Sequence, residues 1–223
     1  MKLSESYWIL ALGFFAQSLF GTRLLVQLVY TERLKKVASP TLYWQISLVG
    51  SFLFLVYGLL RSDFVIILGQ TLNYFIYIRN LQLKNNWLKI PVPWRVVLFS
   101  LPAIAFGYAF ITSPTTWDEL LLKNDLTDII IILGSIGQLL LNFRFVYQWY
   151  YSEKHKESIL PLGFWIISMV ASILIIRYAL YVTPHKNIDP VLLVAQSMGI
   201  VVYVRNIIVH FKSKSKARDI QPE

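Results

Sequence analysis

The sequence predicts an all-α integral membrane protein with seven transmembrane helices in a 3+1+3 parallel-repeat arrangement. Three observations lead to this prediction. Of the 223 residues, 56% are hydrophobic and only 15% are charged, which is too apolar for a soluble domain of this size. Seven apolar stretches are long enough to cross a bilayer core of about 30 Å, which takes about 20 helical residues. Finally, the segment that begins at residue 12 is repeated from residue 133.

Charged or proline-containing breaks divide the apolar sequence into seven predicted spans. They cover residues 7–30, 42–60, 64–82, 92–112, 127–151, 161–182 and 189–211. The first stretch is longer than a signal-peptide core and is followed by no small-residue cleavage site, so we count it as a span. Only Arg61, Ser62 and Asp63 separate the second span from the third, which predicts a tight antiparallel hairpin. Pro102 predicts a bend within the fourth span.

The spans group into four predicted segments. They are a first three-helix repeat (1–90), a linker helix with an extracytoplasmic loop (91–126), a second three-helix repeat (127–211) and a basic cytoplasmic tail (212–223). Seven spans place fourteen lysine and arginine residues on one side of the membrane and five on the other. Because positive charge collects on the cytoplasmic side, we predict that the N-terminus is outside and the C-terminus cytoplasmic. The net charge of +9 then reflects contact with anionic lipid, and no nucleic acid partner is expected.

The two halves of the chain match without a gap at a constant offset of 121 residues. The matched pairs include Gly13/Gly134, Gln17/Gln138, Arg23/Arg144, Gln27/Gln148, Glu32/Glu153, Pro40/Pro161, Trp44/Trp165, Ser47/Ser168 and Tyr57/Tyr178. An insertion around residues 183–188 shifts the offset to 126, which pairs Gln70/Gln196, Tyr77/Tyr203 and Asn80/Asn206. Because each half has three spans and one span lies between the halves, both enter the membrane in the same direction. This predicts parallel repeats about an axis along the membrane normal.

Arg23 and Arg144 are the principal candidate binding residues. Arg23 lies about ten residues before Arg33, roughly 15 Å along a helix, which places it in the hydrocarbon region. A charge there costs about 2.5–3.5 kcal/mol and usually faces the interior of a bundle. A guanidinium group suits a phosphate or carboxylate head group. The alternative is that each arginine extends to the cytoplasmic interface or bonds helix-end carbonyls to hold the three helices together.

Amide and tyrosine side chains complete the candidate ligand-binding set. Gln27 follows Arg23 by one helical turn, and Gln17 is expected on the same broad face. Polar contacts between helices explain these residues equally well. Because Gly199 stands where the first half has Asn73, the two halves are not equivalent in what they contact. The complete set is Arg23, Arg144, Gln17, Gln138, Gln27, Gln148, Gln70, Gln196, Asn73, Tyr77, Tyr203, Asn80 and Asn206.

No motif in the sequence specifies a reaction. The chain has no cysteine, its three histidines have no metal-ligand spacing, and it contains no phosphate-binding glycine loop or nucleophile motif. We therefore expect no catalytic residue, no metal and no cofactor. Trp44 and Trp165 are expected in interfacial aromatic belts, and Arg79 and Arg205 are expected to anchor at head groups. Glu32 and Glu153 are expected to accept hydrogen bonds in short loops.

The repeated motif resembles the lipid A biosynthesis N-terminal domain family. The resemblance covers nearly the whole chain except the fourth span, its flanks and the C-terminal tail. Family relatives look distantly similar to PQ-loop and SWEET-type three-helix bundles, although Pro40 and Pro161 lack the glutamine that follows in a PQ-loop. In the first half the motif consists of Gly13, Gln17, Arg23, Gln27, Thr31-Glu32-Arg33, Pro40, Tyr43-Trp44, Gly69-Gln70 and Tyr77-Ile78-Arg79-Asn80.

The resemblance implies a lipid A or related glycolipid pathway in the inner membrane of a Gram-negative bacterium. The family is named for a module fused to lipid-A-disaccharide synthase, whose soluble glycosyltransferase domain has no counterpart here, so an enzyme acting alone is least favoured. The leading hypothesis is a protein that binds an anionic glycolipid or lipid-linked sugar between its two repeats, with translocation as a further step. Two alternatives stay open, namely an accessory subunit that presents substrate to a separate glycosyltransferase and a SWEET-like carrier of small solutes. Expected partners are anionic phospholipid or glycolipid, such a glycosyltransferase, and further copies of the chain in a homo-oligomer.

Overall fold

The computed structural model describes residues 3–61, 64–112, 129–182 and 190–219. Within these ranges the chain forms seven α-helices and one short 3-10 helix, with no β-strand, so the all-helical prediction is confirmed. The helices are α1 (Leu3–Leu34), α2 (Thr41–Leu60), α3 (Phe64–Leu83), the 3-10 helix (Trp87–Lys89), α4 (Val92–Thr112), α5 (Ile129–His155), α6 (Leu162–Val182) and α7 (Pro190–Asp219).

Each predicted span corresponds to one helix. The bounds of α2, α3, α4 and α6 agree with the predicted bounds to within one residue. The other three helices are longer and continue to Leu34, His155 and Asp219. Lysine, arginine and glutamate are good helix formers, so a helix continues beyond the apolar stretch from which it was predicted. Most of the predicted tail (212–223) is therefore a continuation of α7.

Four stretches of helix are long and apolar enough to cross a membrane. They are Tyr7–Leu34, Thr41–Leu60, Leu162–Leu180 and Leu193–Ser215. This finding rests on length and composition within the described part of the chain. The helices α3 and α5 also have sufficient length, but they include polar residues such as Asn73 and Gln148, which are buried.

The described residues divide into two compact units. The first unit consists of residues 3–26, 40–61, 64–112 and 155–158. Within it, α3 packs against α2, α4 and the 3-10 helix, and the rings of Phe75 and Phe99 join α3 to α4 at a centroid distance of 5.3 Å. The second unit consists of residues 27–39, 129–154, 159–182 and 190–219, and in it α6 packs against α7.

A glycine allows the first helix of each repeat to approach the second helix closely. A Cβ atom built on Gly13 of α1 would lie 2.8 Å from Cε2 of Tyr57 on α2. The equivalent Cβ on Gly134 of α5 would lie 2.6 Å from Cγ of Tyr178 on α6. Both separations are shorter than a normal carbon–carbon contact, so the tyrosine rings pack directly on the glycine backbone.

The helices α1 and α5 end in the same backbone conformation. Lys35 has φ of 54° and Lys156 has φ of 53°, in the left-handed region that commonly ends a helix. The chain then turns back on itself, so that the Ala38 amide donates to Oγ1 of Thr31 at 3.3 Å. In the second repeat the Ile159 amide donates to Oγ of Ser152 at 3.2 Å. The repeat predicted from the sequence is therefore also present in these two turns.

Candidate functional site

A buried arginine joins the three helices of the second repeat. Arg144 on α5 is only 7% exposed. Its Nη1 donates to Oγ of Ser168 on α6 at 2.9 Å and to the hydroxyl oxygen of Tyr203 on α7 at 3.0 Å. One guanidinium nitrogen therefore connects one side chain from each of the other two helices. We call Arg144, Ser168, Tyr203 and Trp165 the second arginine cluster.

The first repeat contains the equivalent arrangement. Arg23 on α1 is 5% exposed, and its Nη1 donates to Oγ of Ser47 on α2 at 3.1 Å and to the hydroxyl oxygen of Tyr77 on α3 at 2.8 Å. We call Arg23, Ser47, Tyr77 and Trp44 the first arginine cluster. The structure thus brings Arg23 together with Tyr77 and Arg144 together with Tyr203, and all four residues belong to the candidate binding set.

Sequence reasoning omitted the serines from the candidate set. Ser47 and Ser168 are fully buried and accept from the arginines, while each donates to the carbonyl oxygen four residues earlier, at 2.6 Å. The sequence does indicate them, because Ser47 and Ser168 are polar residues at matched positions of otherwise apolar spans. Small hydroxyl residues of this kind commonly connect helices in apolar surroundings.

Aromatic rings surround both guanidinium groups. The Cζ atom of Arg23 lies 4.7 Å from the Phe20 ring centroid and 5.5–5.6 Å from those of Tyr77 and Tyr43. For Arg144 the corresponding rings are Phe145 at 5.0 Å, Phe164 at 5.3 Å and Tyr203 at 5.7 Å. Ring faces attract a cation, most strongly where water is excluded. The rings therefore offset part of the cost of burying each charge.

The two tryptophans expected at a lipid interface are instead buried, so that prediction is wrong. Trp44 and Trp165 are both 0% exposed. Their ring centroids lie 6.0 Å from Tyr77 and 6.1 Å from Tyr203, respectively. Both precede a serine of the cluster by three residues, which places tryptophan and serine on the same helix face. Among the described residues, neither indole Nε1 has a hydrogen-bond acceptor.

The charge of Arg144 is not balanced by a carboxylate in the described ranges. Its hydrogen bonds go to two neutral hydroxyl oxygens, and its buried Nε has no acceptor in those ranges. Burying a cation without an anionic partner is costly, and so is burying an unsatisfied N–H donor. The second arginine cluster therefore has the electrostatics of a site for an oxyanion.

The buried glutamines Gln27 and Gln148 hold the turns that follow α1 and α5. Both are 0% exposed. Nε2 of Gln27 donates to Oγ1 of Thr31 at 2.8 Å and to the Ala38 carbonyl at 3.2 Å. Nε2 of Gln148 donates to Oγ of Ser152 at 2.8 Å and to the Ile159 carbonyl at 2.9 Å. These glutamines lie near the arginines in sequence, and their amide groups bond the backbone and the hydroxyls of the turns.

In the second unit, the end of α1 is bonded to α7. Gln27 and Asn206 form a reciprocal amide pair, with Nε2 of Gln27 to Oδ1 of Asn206 at 2.7 Å and Nδ2 of Asn206 to Oε1 of Gln27 at 3.0 Å. Beside this pair, Arg205 donates through Nε and Nη2 to the carboxylate of Glu32, the second bond being 2.8 Å. The guanidinium of Arg205, expected at lipid head groups, thus forms a two-bond ion pair with Glu32.

In the first unit, residues 155–158 meet the end of α3. Oγ of Ser158 donates to Oδ1 of Asn80 at 2.8 Å, and Nδ2 of Asn80 donates to the Ile76 carbonyl at 2.9 Å. Just after α3, burial lowers the pKa of Lys84 from its usual value, and the charge of Glu157 partly offsets this effect. These contacts occupy the predicted ligand residue Asn80.

The remaining predicted residues fall into three groups. Gln70 and Gln196 accept through Oε1 from Ser51 at 2.9 Å and from Ser172 at 2.7 Å, which links α3 to α2 and α7 to α6. Asn73 is buried, with 6% exposure. Gln17 and Gln138 are exposed. A separation of six residues turns a helix by about 120° from the arginine, which is why these two glutamines do not point towards Arg23 and Arg144.

No group of three or more metal-ligating residues occurs within the described ranges. Geometry and sequence together define an all-helical, apolar protein with two internal repeats and one buried arginine cluster in each. The chain matches the Lipid A Biosynthesis N-terminal domain family over residues 12–82 and 133–208 and belongs to that family. The two matched segments coincide with the two repeats, so the family resemblance predicted from the sequence is confirmed.

Curated relatives of the chain are named lipid-A-disaccharide synthases. It is 26% identical to the Chlamydia pneumoniae protein over 217 residues, which cover 93% of this chain and 34% of that protein. It is 29% identical to the Chlamydia muridarum protein over 183 residues, which cover 78% of this chain and 30% of the relative. The chain therefore spans about a third of the length of these relatives. No solved structure matches it.

Proposed function

We propose that the chain is a polytopic inner-membrane protein of lipid A or related glycolipid biosynthesis that binds an anionic glycolipid or lipid-linked sugar. The family membership and the names of the curated relatives support the pathway. The four long apolar helices support insertion into a membrane. The distribution of lysine and arginine supports a cytoplasmic C-terminus.

The observation that carries the binding proposal is the buried charge of Arg144. In the described part of the chain this guanidinium bonds two hydroxyls and no carboxylate. A phosphate or carboxylate group of a lipid would supply the missing countercharge and would accept from the remaining N–H groups. The first arginine cluster contains the same four residue types. We therefore begin from the hypothesis that both clusters bind the ligand.

The test is mass spectrometry of the lipids that co-purify with the protein. The wild type is compared with the Arg23→Ala/Arg144→Ala variant and with an Arg61→Ala/Arg177→Ala control, which removes two exposed arginines. We expect an anionic glycolipid in the wild type and the control but not in the cluster variant, whose fold is checked by circular dichroism. The same bulk phospholipid in all three samples would refute the proposal.

Translocation is a separate step of this proposal. It is tested with vesicles that contain the purified protein and a fluorescent anionic glycolipid, by measuring how much lipid a membrane-impermeant quencher leaves protected over time. Faster exchange between leaflets than in protein-free vesicles would support translocation. A rate equal to that of protein-free vesicles would limit the function to binding.

A second candidate function is presentation of a lipid substrate to a separate glycosyltransferase. It is favoured by the extent of the match, because the chain corresponds to about a third of each synthase relative. Affinity purification from a native membrane extract tests it. Specific recovery of a glycosyltransferase would support this role, whereas a lipid bound without any such enzyme would favour the first proposal.

A further inference from the structure

The two arginine clusters share their central bonds but differ in the polar groups around them. Position 43 in the first repeat is tyrosine, and its counterpart at position 164 is phenylalanine. Position 73 is a buried asparagine, and its counterpart at position 199 is glycine. The Phe164 ring, 5.3 Å from Cζ of Arg144, therefore lacks the hydroxyl that the equivalent Tyr43 ring carries 5.6 Å from Cζ of Arg23.

Gly199 allows the side chain of Tyr203 to lie close to the backbone of α7. A Cβ atom built on Gly199 would lie 3.0 Å from the hydroxyl oxygen of Tyr203. The end of the Tyr203 side chain thus occupies space that a side chain at position 199 would need. With asparagine at this position, as in the first repeat, Tyr203 would have to share that space with a second polar group.

Two buried donors remain without an acceptor in the second cluster, within the part of the chain that the structure describes. They are Nε of Arg144, on a residue that is 7% exposed, and Nε1 of Trp165, which is 0% exposed. Both residues contact Tyr203, Arg144 through the 3.0 Å hydrogen bond and Trp165 at a ring-centroid distance of 6.1 Å. Leaving buried N–H donors unsatisfied is costly, so an acceptor is expected.

We infer that the second cluster is the anion site and that the first cluster chiefly holds its own repeat together. The inference rests on the proposed function and adds the residues that contact the ligand. An oxyanion, either a phosphate or a carboxylate, accepts from Nε of Arg144 and from the indole N–H of Trp165. The same chemistry is offered by a lipid head group and by a free anion in solution.

Trp44 provides a matched control for Trp165. Both indoles are fully buried, both lack an acceptor among the described residues, and both pack on the tyrosine of their own cluster. Replacement of either by phenylalanine keeps an aromatic ring and removes one N–H donor. A difference between the two variants therefore reports on the ligand rather than on general loss of packing.

The experiment measures binding to detergent-purified wild type, Trp165→Phe and Trp44→Phe by isothermal titration. The probes are phosphatidic acid, phosphatidylcholine and inorganic phosphate. We expect phosphatidic acid to bind the wild type, Trp165→Phe to weaken binding by about tenfold, and Trp44→Phe to leave it unchanged. The indole ¹⁵N–¹H resonance that disappears in Trp165→Phe is expected to shift when the ligand is added to the wild type. Equal melting midpoints show that both variants fold.

The other outcomes separate this inference from the proposed function. Equal losses in both variants, or no loss in either, with wild-type binding intact, would overturn the assignment to the second cluster but leave the proposed function standing. Failure of the wild type to bind any anionic probe would overturn the inference, whereas the proposed function is decided by the co-purification experiment with the glycolipid. Binding of inorganic phosphate with the same dependence on Trp165 would support the inference and show that a free anion suffices, whereas binding of phosphatidic acid alone would support it for a lipid head group.

Discussion

The first and second repeats place the same buried groups at the same positions, yet they differ in what lies around those groups. In both, an arginine Nη1 bonds one serine and one tyrosine from the other two helices. In both, a glutamine one turn later holds the turn that ends the helix. These interactions are common to both copies and are sufficient to define a three-helix unit. Their retention is explained by folding alone.

The differences between the repeats are the better guide to function. The third aromatic ring beside the arginine is Phe20 in the first repeat, three residues before Arg23, and Phe145 in the second, one residue after Arg144. The first repeat keeps Tyr43 and Asn73, where the second has Phe164 and Gly199. Groups that fold both copies are expected to stay equal, whereas groups that contact a ligand in one copy are free to diverge in the other.

The largest effect is expected from removing the glutamines that both repeats share. Gln27→Leu and Gln148→Leu each remove the amide donor of a part-buried carbonyl oxygen and of a buried hydroxyl. One such group costs about 1–3 kcal/mol, so each variant is expected to lose about 2–4 kcal/mol of unfolding free energy. Denaturant titration of the purified protein in detergent measures this loss.

The control is the same substitution at the exposed Gln17, which should change stability little. Similar losses of unfolding free energy at positions 27 and 148 would show that the two glutamines contribute equally to stability. A loss at only one position would contradict the equivalence and would reopen a ligand role for the other glutamine.

The helices and the repeat were predictable from the sequence because both follow from local patterns. Apolar length determined the bounds of α2, α3, α4 and α6 to within one residue, and the offset of 121 correctly paired Ser47 with Ser168 as well as Arg23 with Arg144. The lengths of α1, α5 and α7 were underestimated, because polar helix ends carry no apolar signal.

The rest of the site depends on which helix faces meet, which one sequence does not reveal. The pairing of Glu32 with Arg205 joins residues 173 positions apart. The burial of Trp44 and Trp165 differs from the usual location of tryptophan at a membrane interface, because these rings pack on the cluster tyrosines. The predicted face of Gln17 was wrong for a geometric reason, namely a separation of six residues rather than seven from Arg23.

An intermediate effect is expected where the two repeats pack a tyrosine on a glycine. A Cβ on Gly134 would meet Cγ and Cβ of Tyr178 at 2.6 and 3.0 Å, near the fixed root of that side chain. A Cβ on Gly13 would meet Cε2 and Cδ2 of Tyr57 at 2.8 and 3.0 Å, further along a ring that can rotate away. We therefore expect Gly134→Ala to lower the unfolding free energy by about 1–3 kcal/mol and Gly13→Ala to lower it less.

The comparison is sharpened by a second substitution that removes the ring. Tyr178→Ala combined with Gly134→Ala should cost less stability than the sum of the two single losses, because alanine at position 178 removes Cγ and Cδ2, the two atoms nearest to the added methyl group. Purely additive losses would show that the contact with Tyr178 is not the cause. A larger loss for Gly13→Ala than for Gly134→Ala would reverse the expected order of the two repeats.

The smallest effect, and the only expected gain, concerns the left-handed lysines that end α1 and α5. Lysine in this conformation costs about 1–2 kcal/mol, of which glycine saves most while losing about 0.5–1 kcal/mol through its freer unfolded chain. Lys156→Gly and Lys35→Gly are therefore each expected to stabilise the protein by about 0.5 kcal/mol. The exposed 3.4 Å contact of Lys35 with Glu32 contributes little, so its loss should not reverse the gain.

Lys36→Gly, at a neighbouring residue without positive φ, is the control and should destabilise slightly. If all three glycine variants melt below the wild type, the two turns do not store the backbone strain that their φ angles indicate.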